Sequence, residues 1–539
     1  MTIAFLNECG KKDKVKLRNL FMNLLENNKK ILIFSLVCSV STYGFFTANI
    51  INNYDSINVL PSGIGSTIAS GRWFLFVLSQ INNYLWTTNI VPYFNCLLSI
   101  LMISISACLI VSYLDIKFAP FRYVVCALFV VFPSFAAIFP YVHTVQYYAF
   151  SILLSFFALI LLKSPKLINV LFSGILFCLS VGIYQGYLPL IVSLMLIYLM
   201  IRIFDIEENA KETGFFAIRC AVSIVLGLVL YFVINNLFLA VSQVELTEYQ
   251  GLDQMGNVFA YSLFDLMSNA LKSFFNLPFS IQFGINTTRF IRVSILVIFI
   301  ISTCYFIYLV SKVNISAIRK LVCILLFILF PFAANSIFII CPSANIHTLM
   351  VYALVCIFFL PIVLLEIDKR IITDSDDVSA KKWTHKINSF VSAIMCVLLS
   401  LVCLNYVWLD NGNYTAIYYE NQETVSYFNR LATRIQSVPG YTTEMKVAII
   451  GNSFSDPLHA SYFDNQDPFE FVGTSADYID NKYTRDKWFK HYLGYMLSLA
   501  SEDEIALLSK TKTVQNMQVY PDDQSILVYD GYLIVKIGE

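Results

Sequence analysis

The sequence predicts a polytopic α-helical membrane protein of about eleven transmembrane helices, followed by a C-terminal α/β domain outside the membrane. Hydrophobic residues make up 58% of its 539 residues and charged residues only 13%, whereas a soluble domain carries ~25% charged residues. The 36 basic residues are balanced by 36 acidic ones, so the chain lacks the surplus of positive charge that a nucleic-acid-binding surface needs. Composition therefore excludes a soluble enzyme, a disordered scaffold and a nucleic-acid partner.

Eleven stretches of the sequence are apolar over the length that crosses a bilayer. A transmembrane helix needs about 20 consecutive, mainly apolar residues. The predicted spans are 31–51, 92–114, 121–139, 146–162, 167–183, 188–204, 217–240, 290–310, 321–341, 347–366 and 387–408. The first of them is too long for the apolar region of a cleavable signal, so we expect it to stay in the mature protein.

Lysine and arginine are distributed unevenly between the two sides of these spans. With the N-terminus inside, the cytoplasmic segments hold 22 of them, and the outer loops before the tail hold four. Those four outer cations are Arg72, Lys272, Arg289 and Arg292. Because positive charge is retained on the cytoplasmic side, the chain divides into a cytoplasmic segment (1–30), a transmembrane bundle (31–408) and an outer domain (409–539).

The outer side carries two long loops, 52–90 and 241–289, besides the tail. The first loop contains an amphipathic stretch, 73–81, of the kind that lies in the membrane interface. The tail combines a helical pattern over 414–435, a strand-like run over 447–450, a capping box from Ser501 to Glu504 and a hairpin turn at Asp530-Gly531. This alternation predicts a small α/β domain.

An acidic residue follows the first span almost at once, in the run Asn52-Asn53-Tyr54-Asp55. A carboxylate at the membrane border is partly desolvated, and its pKa should rise toward the range in which it accepts a proton in catalysis. Asp55 is therefore the candidate general base. The plainer alternative is a solvated or helix-capping aspartate.

The run Ser70-Gly71-Arg72-Trp73 contains the only basic residue of the first outer loop. The planar fork of Arg72 suits phosphate oxygens, and Gly71 permits close approach of the backbone. We expect Arg72 to bind a phosphate, with Arg289 or Lys272 assisting. The alternative is an interfacial anchor made by Arg72 and Trp73.

Two short outer loops are rich in tyrosine, glutamine and histidine. Such side chains suit a sugar, because its hydroxyls need hydrogen bonds and its C–H faces pack on aromatic rings. The alternative for single tyrosines is an ordinary interfacial aromatic belt. The candidates in these loops are His143, Gln146, Tyr147, Tyr184 and Gln185. The sequence predicts no metal site, because no acidic pair has helical spacing near the membrane border, and it predicts no cofactor.

The order of these motifs resembles the type II, serotype-converting glucosyltransferase family that modifies bacterial O-antigen. The residues that carry the resemblance are Asn52-Asn53-Tyr54-Asp55, Gly71-Arg72-Trp73, Pro140 to Tyr147, Tyr184-Gln185 and, in the tail, Ile449-Ile450-Gly451. The resemblance implies a GT-C-like bundle in the bacterial inner membrane. It further implies transfer of a hexose, commonly glucose, from undecaprenyl phosphate to a lipid-linked O-antigen repeat on the periplasmic side.

The resemblance also implies roles for particular residues. Asp55 would be the base and Arg72 the main phosphate ligand, and direct attack would invert the anomeric carbon. Many family members carry two adjacent acids where this chain has Tyr54-Asp55. The role of the base would therefore fall mainly on Asp55 in this chain. The sugar and acceptor pocket would comprise Asn53, Tyr54, Trp73, His143, Gln146, Tyr147, Tyr184 and Gln185.

Two other functions fit a polytopic envelope protein. An O-antigen polymerase has a similar number of spans, but its large outer loop lies between helices, whereas the soluble part here is C-terminal. A polysaccharide transporter or flippase would show internal repeats and charged or broken helices at the midplane. In this chain the polar residues gather at one face of the membrane.

Overall fold

The computed structural model describes residues 28–248, 261–373, 378–451 and 482–538, so most of the predicted cytoplasmic segment 1–30 lies outside the described residues. The helices are α1 (Lys29–Asn49), α2 (Tyr54–Asn58), α3 (Trp73–Leu85), α4 (Pro92–Tyr113), α5 (Ala119–Val131), α6 (Pro133–Ala136), α7 (Val145–Leu162), α8 (Leu167–Ile183), α9 (Leu188–Phe204), α10 (Ala210–Ser242), α11 (Leu263–Asn276), α12 (Arg289–Lys312), α13 (Ala317–Ala334), α14 (Ile337–Ile340), α15 (Cys356–Thr373), α16 (Val378–Gln436), α17 (Lys482–Lys487), α18 (Glu502–Leu508) and α19 (Lys512–Gln515).

Nine helices in the described ranges are long and apolar enough to cross a membrane, which confirms a polytopic helical membrane protein. Two of the eleven predicted spans differ from this picture. Helix α8 has 17 residues and is shorter than a usual span. The stretch predicted at 347–366 begins with two 3-10 turns and becomes the helix α15 only at Cys356. That helix is almost wholly buried within the protein and carries Glu366, Asp368 and Arg370 toward its end, so protein rather than lipid surrounds it.

Helices α8 and α10 show how the bundle packs. A Cβ atom on Gly227 of α10 would lie 2.9 Å from the carbonyl oxygen of Gly174 on α8. Small residues of this kind let two membrane helices approach closely. The opposite side of α10 exposes Val225, Val229 and Phe232. An apolar face of this extent would be costly in water, and it indicates contact with lipid.

Helix α16 replaces two elements that the sequence predicted as separate. The last predicted span (387–408) and the predicted tail helix (414–435) form one continuous helix of 59 residues. The separation was wrong because the polar residues at 410–413 interrupt the apolar pattern without breaking the helix. Asn411 Nδ2 donates to the carbonyl oxygen of Val407 within α16, at 2.8 Å, and to that of Ser41 on α1, at 3.0 Å, so this polar side chain is satisfied without a break in the helix.

The tail contains a three-stranded sheet with the order β1-β3-β2, formed by β1 (Lys446–Ile450), β2 (Ile526–Tyr529) and β3 (Tyr532–Lys536). Strand β1 is parallel to β3, and β2 is antiparallel to it. The predicted hairpin turn is confirmed, since Asp530 and Gly531 have φ values of 50° and 78°, as a type I′ turn requires. The capping box of Ser501 and Glu504 is confirmed as well.

One face of this sheet packs against the end of α16. Val447 and Leu533 from the sheet share a buried apolar cluster with Phe428 and Leu431 of α16. Ile57 of α2 belongs to the same cluster and is fully buried. The tail therefore rests on the segment that follows the first membrane helix.

Candidate functional site

Helix α2 presents the candidate base. Asn53 caps the helix, and its side chain accepts a hydrogen bond from the Ser56 backbone N–H at 2.8 Å. Asp55 lies in the first turn and is half-buried. Burial raises the pKa of Asp55 to about 6, although the positive charge of Arg72 acts to lower it. The carboxylate is therefore more basic than an ordinary surface aspartate and is still mostly ionised at pH 7.

The loop after α6 supports α2 from the membrane side. Ser56 Oγ donates to the carbonyl oxygen of Pro140 at 2.7 Å, and the Asn53 backbone N–H donates to the same oxygen at 3.3 Å. His143 Nδ1 lies 3.1 Å from Ser56 Oγ. Burial, together with the charge of Arg72, lowers the pKa of His143 to about 3. His143 is thus a neutral imidazole that can form hydrogen bonds beside Asp55.

Arg72 immediately precedes α3 and lies among tyrosines. Its Nη1 donates to the hydroxyl of Tyr148 at 3.1 Å. Its guanidinium carbon lies 5.5 Å from the ring centre of Tyr184 and 6.0 Å from that of Tyr148, which is within cation–π range. Burial by itself would lower the pKa of Arg72, but the nearby tyrosines and Asp55 raise it overall. The guanidinium therefore stays charged.

The turn that carries Arg72 is fixed by two residues of the bundle. Gly71 has φ 68°, a left-handed conformation that favours glycine. Gln185 Nε2 donates to the carbonyl oxygens of Ser70 and Gly71 at 3.1 and 3.0 Å. The Tyr231 hydroxyl donates to the carbonyl oxygen of Gly71 at 3.0 Å. The direction of Arg72 is thus set by a hydrogen-bonded turn.

Asp55 and Arg72 belong to one electrostatic site. The charge of Arg72 lowers the pKa of Asp55, and Asp55 in turn raises the pKa of Arg72. The segment 143–148 contacts both neighbourhoods. His143 contacts Ser56, which follows Asp55, and Tyr148 accepts a hydrogen bond from Arg72. Among the described residues, Asp55 and Arg72 form no direct ion pair with each other, so their interaction acts through the field of their charges.

The other predicted site residues lie in different surroundings. Asn53 and Gln146 are buried, and Asn53 Nδ2 and Gln146 Oε1 have no hydrogen-bond partner among the described residues. Trp73 is buried against Phe238 of α10, their ring centres 5.6 Å apart. Tyr54 packs beside the tail cluster. Tyr147 is half-buried at the start of α7.

The two predicted assisting cations lie at the surface. Lys272 is exposed on α11, and Arg289 is exposed as the first residue of α12. Neither is joined to Asp55 or Arg72 by a hydrogen bond or ion pair in the described part of the chain. Their assistance at the phosphate stays a prediction. In the described ranges, no group of three or more His, Cys, Asp or Glu side chains converges as a metal site would require.

Sequence reasoning missed the residues that hold the site from a distance. Tyr231 lies in the middle of a predicted membrane span. Asn235 follows one turn later, and its Oδ1 lies 3.7 Å from the position that a Cβ on Gly71 would take. An asparagine inside an apolar helix is a usable signal, because polar groups in membrane helices are costly and often functional. Tyr492 of the tail contacts Asn52 from 440 residues away, and no local pattern announces that contact.

The fold defines a polytopic helical membrane protein. A partly buried carboxylate can act as a general base, and a guanidinium can stabilise an anionic leaving group. A group-transfer enzyme uses both. Within that class, residues 44–358 match the family model described as glucosyl transferase GtrII. The chain therefore belongs to this family of serotype-converting O-antigen glucosyltransferases. No curated protein is similar enough to the chain to count as a match.

The matched range contains every predicted site residue, from Asn53 to Arg289. It ends within α15 and leaves out α16 and the tail domain. Family membership makes the protein a glucosyltransferase of O-antigen modification.

Proposed function

We propose that the protein transfers glucose from undecaprenyl phosphate to a lipid-linked O-antigen repeat on the periplasmic face of the bacterial inner membrane. The observation that carries this proposal is the pairing of a half-buried Asp55 with a charged, aromatic-held Arg72 at one site. The pair supplies a base for the acceptor and a cation for the leaving phosphate. Membership of the glucosyl transferase family indicates that the transferred sugar is glucose.

The reaction needs one proton acceptor and no redox partner. The carboxylate of Asp55 takes the proton from an acceptor hydroxyl as that oxygen attacks the anomeric carbon. The bond between this carbon and the phosphate oxygen breaks, and the electron pair leaves with undecaprenyl phosphate. Attack from the face opposite the leaving group inverts the anomeric configuration. A pKa of about 6 for Asp55 suits the task, because general bases work best when their pKa lies near the working pH.

Arg72 is suited to the leaving phosphate. Its guanidinium makes one described hydrogen bond, to the hydroxyl of Tyr148, and its Nε has no partner in the described ranges. The guanidinium can therefore turn its fork toward phosphate oxygens. Arg72 also lies at the N-terminal end of the 13-residue α3, where the helix dipole favours an anion. Lys272 and Arg289 are kept as assisting cations.

A surface along α3 supports a lipid-linked donor. A shallow, open apolar surface of α3 begins one helical turn beyond Arg72. A polyprenyl chain placed there would leave its phosphate at the start of the helix, beside the arginine. The surface is formed by Phe76, Val77, Gln80, Ile81, Tyr84 and Leu85.

Polar atoms around the pair support a sugar pocket. A buried donor or acceptor without a partner is costly unless a ligand or water satisfies it. Asn53 offers its Nδ2 as a donor, Gln146 offers its Oε1 as an acceptor, and Tyr187 offers its hydroxyl. Tyr184 and Tyr148 supply ring faces, with centroids 4.9 Å apart. Gln185 instead donates from its Nε2 to the Gly71 turn. We therefore propose that Gln185 positions Arg72.

Charge distribution supports the periplasmic assignment. The basic residues of the loops concentrate at the end of the bundle opposite Asp55, and the positive-inside rule makes that end cytoplasmic. The N-terminus is then inside, and the domain from 409 onward faces the periplasm.

The test is a reconstituted transfer reaction. Purified protein is incubated with undecaprenyl phosphate carrying labelled glucose and with a lipid-linked O-antigen repeat. We expect a labelled acceptor with the anomeric configuration inverted, read by mass spectrometry and NMR. Elongation of a diphosphate-linked repeat instead would indicate a polymerase. Movement of donor across a vesicle with no new glycosidic bond would indicate a transporter, and either result would overturn the proposal.

A further inference from the structure

The segment that carries Asp55 is held from two sides. From the membrane side, the Pro140 carbonyl accepts hydrogen bonds from Asn53 and Ser56, as described above. From the other side, the tail domain contacts Asn52, three residues before Asp55. Asn52 Nδ2 donates to the hydroxyl of Tyr492 at 2.6 Å. Asp55 thus lies at a junction between the bundle and the tail.

A second tail contact acts on the same residue. Asn421 of α16 donates from its Nδ2 to the Asn52 carbonyl oxygen at 3.2 Å and to the Ile417 carbonyl oxygen at 3.1 Å. Both the side chain and the backbone of Asn52 are therefore bound by residues outside the family match. Two bonds to one residue fix its position and its orientation.

The residues that make these contacts border the buried core of the tail domain: Asn421 is buried, and Tyr492 packs beside Trp488. Tyr492 ends a π-helical turn, Trp488–Tyr492, a form found frequently at functional sites. Its ring centre lies 4.5 Å from that of Trp488, which is fully buried. Trp488 stacks on Phe428 of α16, and Ile57 of α2 joins the same cluster. Tyr492 is itself partly exposed, and its ring contact with Trp488 joins it to the core of the tail domain.

We propose that the tail domain positions the general base, with Tyr492 and Asn421 acting through Asn52 on the segment that bears Asp55. The inference rests on the proposed function and adds to it a role for the part of the chain beyond the matched range. Tyr492 and Asn421 are positioning residues, since they touch neither substrate nor reacting atoms. The tail would then be required for turnover itself, and not only for capture of the acceptor.

The proposal carries a pH signature. Burial is the main cause of the raised pKa of Asp55, and docking of α17 and its cluster onto α2 contributes to that burial. If docking loosens, Asp55 gains solvent, and its pKa should fall toward the ordinary value of about 4. Among the described charges, only that of Arg72 shifts the pKa of Asp55. Other titratable or charged groups on the packed elements include His143, Glu420, Glu423, Arg485, Asp486, Lys487, Lys490 and His491.

The experiment compares two tyrosine substitutions within one domain. Tyr492→Phe removes the hydroxyl that accepts from Asn52. Tyr529→Phe, on β2 in a separate apolar cluster, is the matched control. We expect kcat of Tyr492→Phe to fall about fivefold, the effect of one ordinary hydrogen bond, with the KM for the donor unchanged. The acid limb of its pH profile should move below that of the wild type. A kcat and an acid limb equal to those of Tyr529→Phe would overturn the proposal.

A double-mutant cycle protects the test against simple loss of folding. Asn52→Ala and Tyr492→Phe should each lower kcat, and the double variant should lose little more than either alone, because they break the same bond. Additive losses would overturn the proposal. Asn421→Ala should shift the acid limb in the same direction as Tyr492→Phe. If the wild type forms no glycosidic bond, the proposed function fails; if it does and these variants behave as the control, only this inference fails.

Discussion

Two acid–arginine pairs occupy opposite ends of the bundle and differ in how they are joined. At the end predicted to be cytoplasmic, Arg370 Nη2 lies 3.3 Å from Asp115 Oδ2 in a closed ion pair, with the two side chains 25% and 49% exposed. At the other end, Asp55 and Arg72 each shift the pKa of the other by their charge, but they form no direct ion pair among the described residues. Arg72 is held there by tyrosines instead.

The difference indicates which pair can do chemistry. An exposed, closed pair contributes at most about 1 kcal/mol to stability and has its charges already neutralised. An open, partly buried pair keeps both charges available, and the desolvated carboxylate becomes a better base. The Nε of Arg72 also lacks a partner in the described ranges, so this guanidinium has a donor to offer an incoming anion.

The largest effect should come from removing the carboxylate of the open pair. Asp55→Asn should lower kcat by about 10²–10⁴-fold, the usual contribution of a general base, while expression and membrane insertion stay normal. The matched change Asp115→Asn in the closed pair should leave kcat within a factor of two or so, since exposed pairs contribute little. Turnover of the two purified variants in the transfer assay checks both. Near-normal turnover of Asp55→Asn would remove Asp55 from the mechanism.

Removing the arginine should have almost as different an effect in the two pairs. Arg72→Gln should lower kcat/KM for the donor by about 10²–10³-fold, because a charged donor to the transition state is lost. It should also move the acid limb of the pH profile above 6, since Arg72 lowers the pKa of Asp55. Arg370→Gln should change neither quantity. An unshifted limb in Arg72→Gln would show that the two groups do not share a site.

The pH dependence of the wild type should report the open pair alone. In the proposed mechanism Asp55 acts in its ionised form, and its pKa is raised to about 6. The rate should therefore rise as pH increases through 6 and should fall about tenfold per unit below 5. His143, with its pKa lowered to about 3, should add no limb between pH 5 and 8. His143→Gln should leave the limb in place, and a limb that disappears would assign it to the histidine.

A smaller effect should follow from disturbing the turn that aims Arg72. In Gly71→Ala, the new Cβ would lie 2.6 Å from the Tyr231 hydroxyl at φ 68°, a strain of about 1–3 kcal/mol. We expect kcat to fall about tenfold. Adding Tyr231→Phe removes the clashing oxygen and should restore part of the activity. Failure of the second change to help would place the cost in the backbone, in the 2.9 Å contact of the new Cβ with Gln185 Nε2, or in the lost bond from Tyr231 to the turn.

The smallest effect should come from a glycine that serves neither pair. A Cβ on Gly412 of α16 would meet nothing within 4 Å, and alanine favours a helix over glycine by about 1 kcal/mol. Gly412→Ala should keep full activity and raise the thermal stability slightly. A loss of turnover would show that α16 bends at this glycine during the reaction.

Local patterns in the sequence predicted the elements well and the long-range contacts poorly. Apolar runs located the membrane helices, because lipid imposes a simple rule on every exposed side chain. The isolated charges Asp55 and Arg72 stood out for the same reason. Gln185 is predicted from the sequence as a sugar-pocket residue. Its bonds to the Gly71 turn depend on how α8 and α9 pack against α3, and local sequence does not specify that packing.

The tail shows the same limit. Its strand, capping box and hairpin are local devices that a few neighbouring residues specify. The contacts of Tyr492 and Asn421 with Asn52 join residues 440 and 369 positions apart. A single apolar-to-polar change along α16 suggested a break, although the backbone continues as helix through Asn411 and Asn413. Periodicity cannot distinguish a helix that ends at the membrane surface from one that continues beyond it.

The uninterrupted α16 has a mechanical consequence. At ~1.5 Å per residue, its 59 residues make a rod of about 88 Å, which couples the last long apolar stretch of the chain to the tail sheet. A tilt of the apolar part of α16 would then be transmitted along the helix to the sheet. Because the sheet cluster also packs against α2 through Ile57, the same motion would displace the helix that bears Asp55.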